Sequence, residues 1–207
     1  MLEAELLLTA YRRGIFPMAV DKRGTIGWFS PDPRAVIPLD ERFHVPHGLK
    51  RTLKKKLFTV TFDQDFPAVM RECAQRTDGT WISPQITKSY CALHKLGHAH
   101  SVEVWQGGSP ESSVLSPKST SETVRLVGGL YGVHIGAVFF GESMFYRATD
   151  ASKVALVALV ERLRKRGFVL LDTQWLTPHL RQFGTHEVPR GEYLRILERA
   201  VAFPVKF

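Results

Sequence analysis

Two apolar segments of this 207-residue chain are interrupted by polar side chains that could do chemistry: Phe139-Phe140-Gly141-Glu142-Ser143-Met144-Phe145 and Leu170-Leu171-Asp172-Thr173-Gln174. A carboxylate or carboxamide set into an apolar strand costs free energy unless it is hydrogen-bonded or used. If used, such groups accept protons or hold a substrate by hydrogen bonds. Strand alternation predicts that Asp172 and Gln174 share one face, with Thr173 on the other, and that Glu142 and Met144 share a face. A purely structural alternative stands beside this reading: Asp172 could cap a neighbouring helix, and Glu142 could pair with Arg147 or Lys153.

Other chemistries find less support. No GxxxxGK[ST] or GxGxxG run is present, so nothing suggests a phosphate-cradling nucleotide loop. Ser143 in Gly141-Glu142-Ser143-Met144-Phe145 is not the serine of a G-x-S-x-G elbow, because Phe145 fills the fifth position. His94, His98 and His100 are locally dense, but a helix-to-strand change should point them apart, and no metal site is expected. Cys73 and Cys91 lie in helical apolar patterns without CxxC spacing and are expected to be reduced core residues.

The elements that must position these groups can be read from periodicity. Leu2, Leu6, Leu7 and Ala10 fall on one helical face that stops at Gly14. From Ile15 to Val45 prolines adjoin aromatics, which excludes a regular helix and predicts a long, functional, irregular stretch. Leu57 to Phe62 is expected as a strand, and Phe66, Val69, Met70 and Cys73 as a helix face. Ser83-Pro84 should cap and open a helix with Ile86, Tyr90 and Leu93 on one side. Ser101 to Trp105 follows as a strand, and the Ser/Gly/Pro-rich residues 107–123 are expected as a flexible hairpin connection. Strands over Arg125 to Ile135 and Ala137 to Tyr146, a helix over Ala151 to Arg166 and a buried strand from Phe168 to Leu171 complete the pattern. Strand, strand, helix, strand implies a mixed sheet whose first pair is antiparallel and whose last strand returns after a crossover helix. The fold class is therefore α+β or α/β.

Hydrophobic residues make up 44% of the chain and charged residues 23%, a balance that excludes a disordered or fibrous chain. No apolar run approaches membrane-span length, and Met1-Leu2-Glu3-Ala4-Glu5 is acidic where a signal peptide is basic, so a cytoplasmic protein with no membrane association is expected. The net charge of +8 favours an anionic partner. Residues 1–60 hold 11 Lys/Arg against 6 Asp/Glu, and the densest cluster is Lys50, Arg51, Lys54, Lys55 and Lys56. Such a basic helix can be merely a solvated face or a phosphate contact.

Several longer motifs occur in order. They are Tyr11-Arg12-Arg13-Gly14-Ile15-Phe16-Pro17, Trp28-Phe29-Ser30-Pro31-Asp32-Pro33-Arg34, Asp78-Gly79-Thr80-Trp81-Ile82 and Gly97 to Trp105, then Leu126 to Val133, Phe140 to Phe145, Ala151-Ser152-Lys153 and Leu171 to Gln174. Through them nearly the whole chain resembles the bacterial leucyl/phenylalanyl-tRNA-protein transferases. The resemblance implies a small N-terminal region (residues 1–60) before an α+β acyltransferase domain of GNAT type with a mixed sheet (residues 61–207). Aminoacyl-tRNA replaces acyl-coenzyme A as donor there, and no cofactor is required. Consistent with this, Tyr146 to Lys153 holds none of the glycines of a coenzyme A pyrophosphate turn.

The implied activity moves leucine or phenylalanine, and less readily methionine, from charged tRNA to proteins beginning with arginine or lysine, creating a destabilising N-terminus. Asp172 is then the candidate to orient the incoming amine and take its proton, and Gln174 to hold the amine or carbonyl. Glu142 would anchor the donor's amino group or the acceptor's cationic side chain. Leu130, Phe139, Met144, Leu156, Leu163 and Leu171 are expected to line an aminoacyl pocket. Trp81, Trp28 or Phe29 would stack on the terminal adenine, a contact weakened at Met18, where many family members carry tryptophan. Lys50, Arg51, Lys54, Lys55 and Lys56 would meet tRNA phosphates. A monomer is expected. Two other readings compete: an RNA-binding module that has lost catalysis, and a transferase that adds amino acids from tRNA to a cell-wall peptide.

Overall fold

A computed structural model of the chain describes residues 1–77, 79–107 and 124–207. The connection expected over 107–123 lies, apart from Gly107, outside the described residues. Seven strands form one mixed sheet in the order β4-β5-β6-β7-β8-β3-β9, with a separate two-stranded ribbon of β1 and β2. In chain order the strands are β1 (Phe16–Ala19), β2 (Ile26–Phe29), β3 (Arg34–Ile37), β4 (Thr59–Phe62), β5 (Ala99–Gln106), β6 (Arg125–Ile135), β7 (Val138–Tyr146), β8 (Leu170–Gln174) and β9 (His186–Val188). Among the described residues the helices are α1 (Ala4–Arg12), α2 (His47–Lys54), α3 (Phe66–Ala74), α4 (Pro84–Lys95), α5 (Ala151–Arg166), α6 (Pro178–Arg181) and α7 (Arg190–Val201). The architecture is thus mixed α+β.

Local signals act as the sequence suggests in most elements. Ser83 caps α4 by accepting from the Ile86 N–H, and Asp65 caps α3 by accepting from Ala68. Gly167 (φ 81°) ends α5 in the left-handed conformation, just after the basic last turn Arg164, Lys165 and Arg166. β6 and β7 are antiparallel, α5 crosses over, and β8 returns parallel to β7. Side chains alternate between two cores: Tyr131, Val133 and Ile135 of β6 pack with α1, α3, α4 and α7, while Leu130 packs with α2 and α5.

Differences arise where pairing is long-range. The expected irregular stretch from Ile15 to Val45 contains no helix, but it holds three strands. β3 is fully buried and pairs with β8 and β9, so its strand character comes from partners far away in sequence. The strand expected over Phe168 to Leu171 runs instead from Leu170 to Gln174. The expected boundary at residue 60 falls inside β4, and β3 from before it lies inside the main sheet.

Candidate active site

The sheet opens where its parallel pair ends. β7 and β8 stay in register from Val138–Leu170 through Phe140–Asp172, then part while each strand continues. Between them lies a cavity of about 520 Å³. β6 and β7 also carry a bulge there: Gly132 faces Gly141 while Tyr131 faces Ser143, so Glu142 is the extra residue on β7. A bulge re-aims the side chain it carries. Gly141, Glu142, Ser143 and Met144 accordingly all border the cavity, which simple alternation would not allow.

Asp172 is held differently from the expectation. It is 0% exposed and does not border the cavity. Its carboxylate accepts from Arg34 Nε (2.9 and 3.1 Å), Arg34 Nη2 (2.6 Å), the Tyr193 hydroxyl (2.8 Å) and the Gln174 backbone N–H (2.9 Å). Arg34, 1% exposed, also donates to the Gly14 carbonyl (2.9 Å), and its guanidinium lies over the rings of Phe16 and Tyr193. Burial alone would lower the guanidinium's pKa, but Asp172 reverses this and the pKa stands raised. The Asp172 oxygens are turned to these donors rather than to the cavity. Asp172 caps none of the described helices, contrary to the structural alternative.

Gln174 does reach the cavity, because the strand alternation breaks. Its φ is 59°, left-handed backbone that non-glycine residues seldom adopt, so Thr173 and Gln174 both border the cavity while Asp172 stays behind. The Gln174 Nε2 group donates toward Glu142 Oε1 at 3.5 Å, and Glu142 Oε2 accepts from Tyr90 at 3.3 Å. Tyr90 shares a further hydrogen bond with the Tyr11 hydroxyl. The Glu142 pKa is pushed up to about 8, chiefly by burial and also by the nearby negative Asp172, against the pull of Tyr11, Arg34 and Tyr90. Its expected alternative partners are engaged elsewhere, Arg147 with Glu72 and Lys153 with Asp150.

Of the six expected pocket residues, Leu130, Met144, Leu156 and Leu171 border the cavity. Phe139 and Leu163 do not. Phe139 lies where β7 is still paired with β8, and its ring stacks on Phe207. Leu163 is two helical turns past Leu156 and is buried in the core. Of the stacking candidates, Trp81 and Met18 border the cavity and Trp28 and Phe29 do not. Pairing explains this: Phe16 and Met18 alternate onto the cavity face of β1, whereas Trp28, opposite Pro17, faces away and is 40% exposed. Phe29 stacks against Phe16 instead.

Lys50, Arg51 and Lys54 on α2, and Lys55 and Lys56 after it, are all exposed. Leu49 anchors the helix, and the Thr52 hydroxyl donates to Asp150 (2.9 Å), the residue before α5, whose Ser152 and Leu156 border the cavity. Sequence reasoning missed Arg34, Tyr193, Tyr11 and Tyr90, which fix Asp172 and Glu142, and also missed Arg76, His179 and Trp175 on the cavity wall. Arg34 and Tyr11 stood inside motifs already singled out, where a buried charge partner for Asp172 could have been sought.

A family model described as leucyl/phenylalanyl-tRNA protein transferase matches residues 36–198, and a model of that family's N-terminal domain matches residues 1–32. The chain belongs to this family. Among its relatives, a leucyl/phenylalanyl-tRNA–protein transferase of Akkermansia muciniphila is 53% identical over 97% of this chain and 96% of its own length. One from Herpetosiphon aurantiacus is 50% identical over 100% of this chain and 98% of its own. A solved structure of FemX superposes with a TM-score of 0.53 over 94% of this chain and 71% of that one, at 12% identity, a likeness of fold alone.

In this transferase-family chain the histidines depart from expectation. His94 and His100 do not point apart: their Nδ1 atoms lie 3.8 and 2.8 Å from the two oxygens of Asp63. Among the described residues no group of three or more His, Cys, Asp or Glu side chains is arranged to hold a metal ion. Both cysteines are free, Cys73 buried and Cys91 half-buried. No described helix is long and apolar enough to cross a membrane.

Proposed function

We propose that the protein transfers leucine or phenylalanine, and less readily methionine, from aminoacyl-tRNA to the α-amino group of proteins beginning with arginine or lysine. The observation that carries this reading is the cavity at the parting of β7 and β8, whose lining combines Leu130, Met144, Leu156 and Leu171 with Gln174 and Glu142. The divergence and the bulge beside it also support a GNAT-type acyltransferase domain. The reading takes the protein to act as a monomer, and a reaction that consumes charged tRNA belongs in the cytoplasm.

The donor's aminoacyl side chain fits among Leu130, Met144, Leu156 and Leu171, where the flexible Met144 can adapt to leucine or phenylalanine. The donor is an activated ester, so positioning supplies most of the rate. The Gln174 carboxamide oxygen accepts a hydrogen bond from the acceptor's neutral amine and aims its lone pair at the ester carbonyl. The new C–N bond forms, the C–O bond to the terminal ribose breaks, and the amine's surplus proton leaves with the ribose hydroxyl. Asp172 acts through Gln174 as a positioning residue: with Arg34 and Tyr193 it holds the left-handed turn that presents the carboxamide. Glu142, ionised when a cation arrives, binds the acceptor's arginine or lysine side chain. Lys50, Arg51, Lys54, Lys55 and Lys56 take tRNA phosphates.

The test is direct. Purified protein, incubated with leucyl- or phenylalanyl-tRNA and an Arg-initiated peptide, should add one residue to the peptide's N-terminus, visible as a mass gain. Transfer to a side-chain amine of an N-terminally blocked peptide, but not to a free N-terminal arginine, would overturn the reading.

A further inference from the structure

Arg76 has no part in the roles above, yet it stands on the cavity wall. It lies two residues past the end of α3, is exposed, and has its guanidinium held against β7 by neutral acceptors. Nη2 donates to the Ser143 hydroxyl at 3.0 Å and to the Met144 carbonyl at 3.4 Å, and Nε donates to the Cys73 carbonyl at 3.4 Å. Glu72, the acidic residue of α3, is taken by Arg147 at 2.7 Å. Among the described residues Arg76 makes no ion pair, so a cation is fixed in place with its charge uncompensated. The planar fork still has donors to offer a ligand.

The cavity is therefore electrically polarised. Of the described residues that line it, Arg76 carries the positive charge and Glu142 the carboxylate. The reaction joins two substrates of opposite charge, a cationic N-terminal residue and a polyanionic RNA, and Glu142 suits the first. Position along β7 indicates what Arg76 suits. From Glu142 the chain passes Ser143 and Met144, where Arg76 docks, then Arg147, held by Glu72 and Gln75, and then Asp150, where Thr52 ties down the basic helix α2. Arg76 thus stands between the carboxylate and the cluster of cations, with Glu142 to Met144 spanning only roughly 7 Å of strand. In an aminoacyl-tRNA one ribose separates the reacting ester from the nearest phosphate, so an ester brought to Gln174 carries that phosphate onto the neighbouring wall. We infer that Arg76 binds the phosphate of the donor's terminal nucleotide and so sets how far the ester enters the cavity, an inference that rests on the tRNA-dependent transfer proposed above. The cluster on α2 holds the stem; Arg76 holds the last phosphate before the chemistry.

Two donors that differ only in that phosphate isolate its contribution: the 3′-phenylalanyl esters of adenosine and of AMP. A well-formed ion pair at an exposed site is worth up to roughly fivefold in affinity. The wild type should therefore use the AMP ester with a KM about fivefold below that of the adenosine ester, and Arg76→Ala should bring the two KM values together. Arg76→Gln, which can still donate to Ser143, should lose the preference as fully as alanine does, whereas Arg76→Lys should keep part of it. No preference in the wild type, a preference that survives in Arg76→Ala, or a KM shift confined to acceptor peptides with an acidic second residue would overturn the inference. A second measurement needs no turnover. Calorimetric titration should show AMP binding the wild type about fivefold more tightly than adenosine does, and Arg76→Ala binding both alike; equal binding to the wild type would count against a phosphate site. Should the wild type transfer nothing from charged tRNA, the transfer reading fails while this titration still decides whether Arg76 holds a phosphate.

Discussion

The two acidic residues of the site bear opposite burdens. Asp172 is fully buried but paired, and replacing it by asparagine leaves Arg34 buried without a counter-charge. Breaking a buried ion pair in this way costs about 3–5 kcal/mol. Asp172→Asn should accordingly lower the unfolding free energy by that amount, and transfer per folded molecule should fall as well because the turn that presents Gln174 loosens; near-wild-type stability with lost activity would restore a direct catalytic role. Gln174→Ala is the contrasting case. It should leave stability within about 1 kcal/mol while slowing single-turnover transfer on the order of 10²-fold, the usual penalty for a mispositioned reactant. Glu142 carries the pH dependence. Its pKa rises from an ordinary 4.5 to about 8, so between these values the folded state binds a proton that the unfolded state has released. Its contribution to stability is therefore full below pH 4.5 and is lost as pH rises through 8. Melting temperatures across this window should fall less steeply for Glu142→Gln than for wild type; parallel curves would show that Glu142 is already ionised in the folded protein.

At the scale of elements, what was legible in the sequence is what short-range patterns encode. Ser83 before Pro84, the apolar face of α3 and the β6–β7–α5–β8 succession all rest on neighbours in sequence, and each forms as those neighbours dictate. β3 was not legible, because Arg34–Ile37 becomes a strand only between β8 and β9, its partners more than 130 residues away. The site suffered from the same cause. Alternation assigned Asp172 and Gln174 to one face, but a left-handed turn separates them, and the bulge at Glu142 cancels alternation on β7. The bulge itself depends on Gly132, where an added Cβ would collide with the Phe139 ring and the Phe140 carbonyl. Gly132→Ala should therefore cost about 1–3 kcal/mol, as overpacking does. Activity should fall further than the folded fraction, since Glu142 and Met144 are carried by the displaced strand. Chemical denaturation and transfer rates on one preparation test this, and loss of stability alone would separate the bulge from function.

For the whole molecule the question is where the net charge of +8 is available to a polyanion. A minority of the cations are neutralised locally, among them Arg34 by Asp172, Arg42 by Asp40, Arg147 by Glu72, Lys153 by Asp150 and Arg190 by Asp32. Lys50, Arg51, Lys54, Lys55 and Lys56 are exposed, and among the described residues none of them forms an ion pair, so the densest run of unpaired positive charge in the sequence lies on α2 and just after it. Thr52 ties that helix to Asp150, at the end of α5 that borders the cavity, and an acceptor stem entering the cavity would pass beside it. Each phosphate neutralised there releases counterions and adds about 0.7 to 0.9 to the slope of log affinity against log salt. Replacing Lys50, Arg51, Lys54 and Lys55 by alanine should flatten the salt dependence of tRNA binding by about that amount for every phosphate that no longer meets a cation. Transfer at saturating donor should change little, because none of the four borders the cavity. An unchanged slope would move the tRNA path to a second basic surface, Arg162, Lys165 and Arg166 beside β4, where alanine replacements would then have to produce the flattening instead.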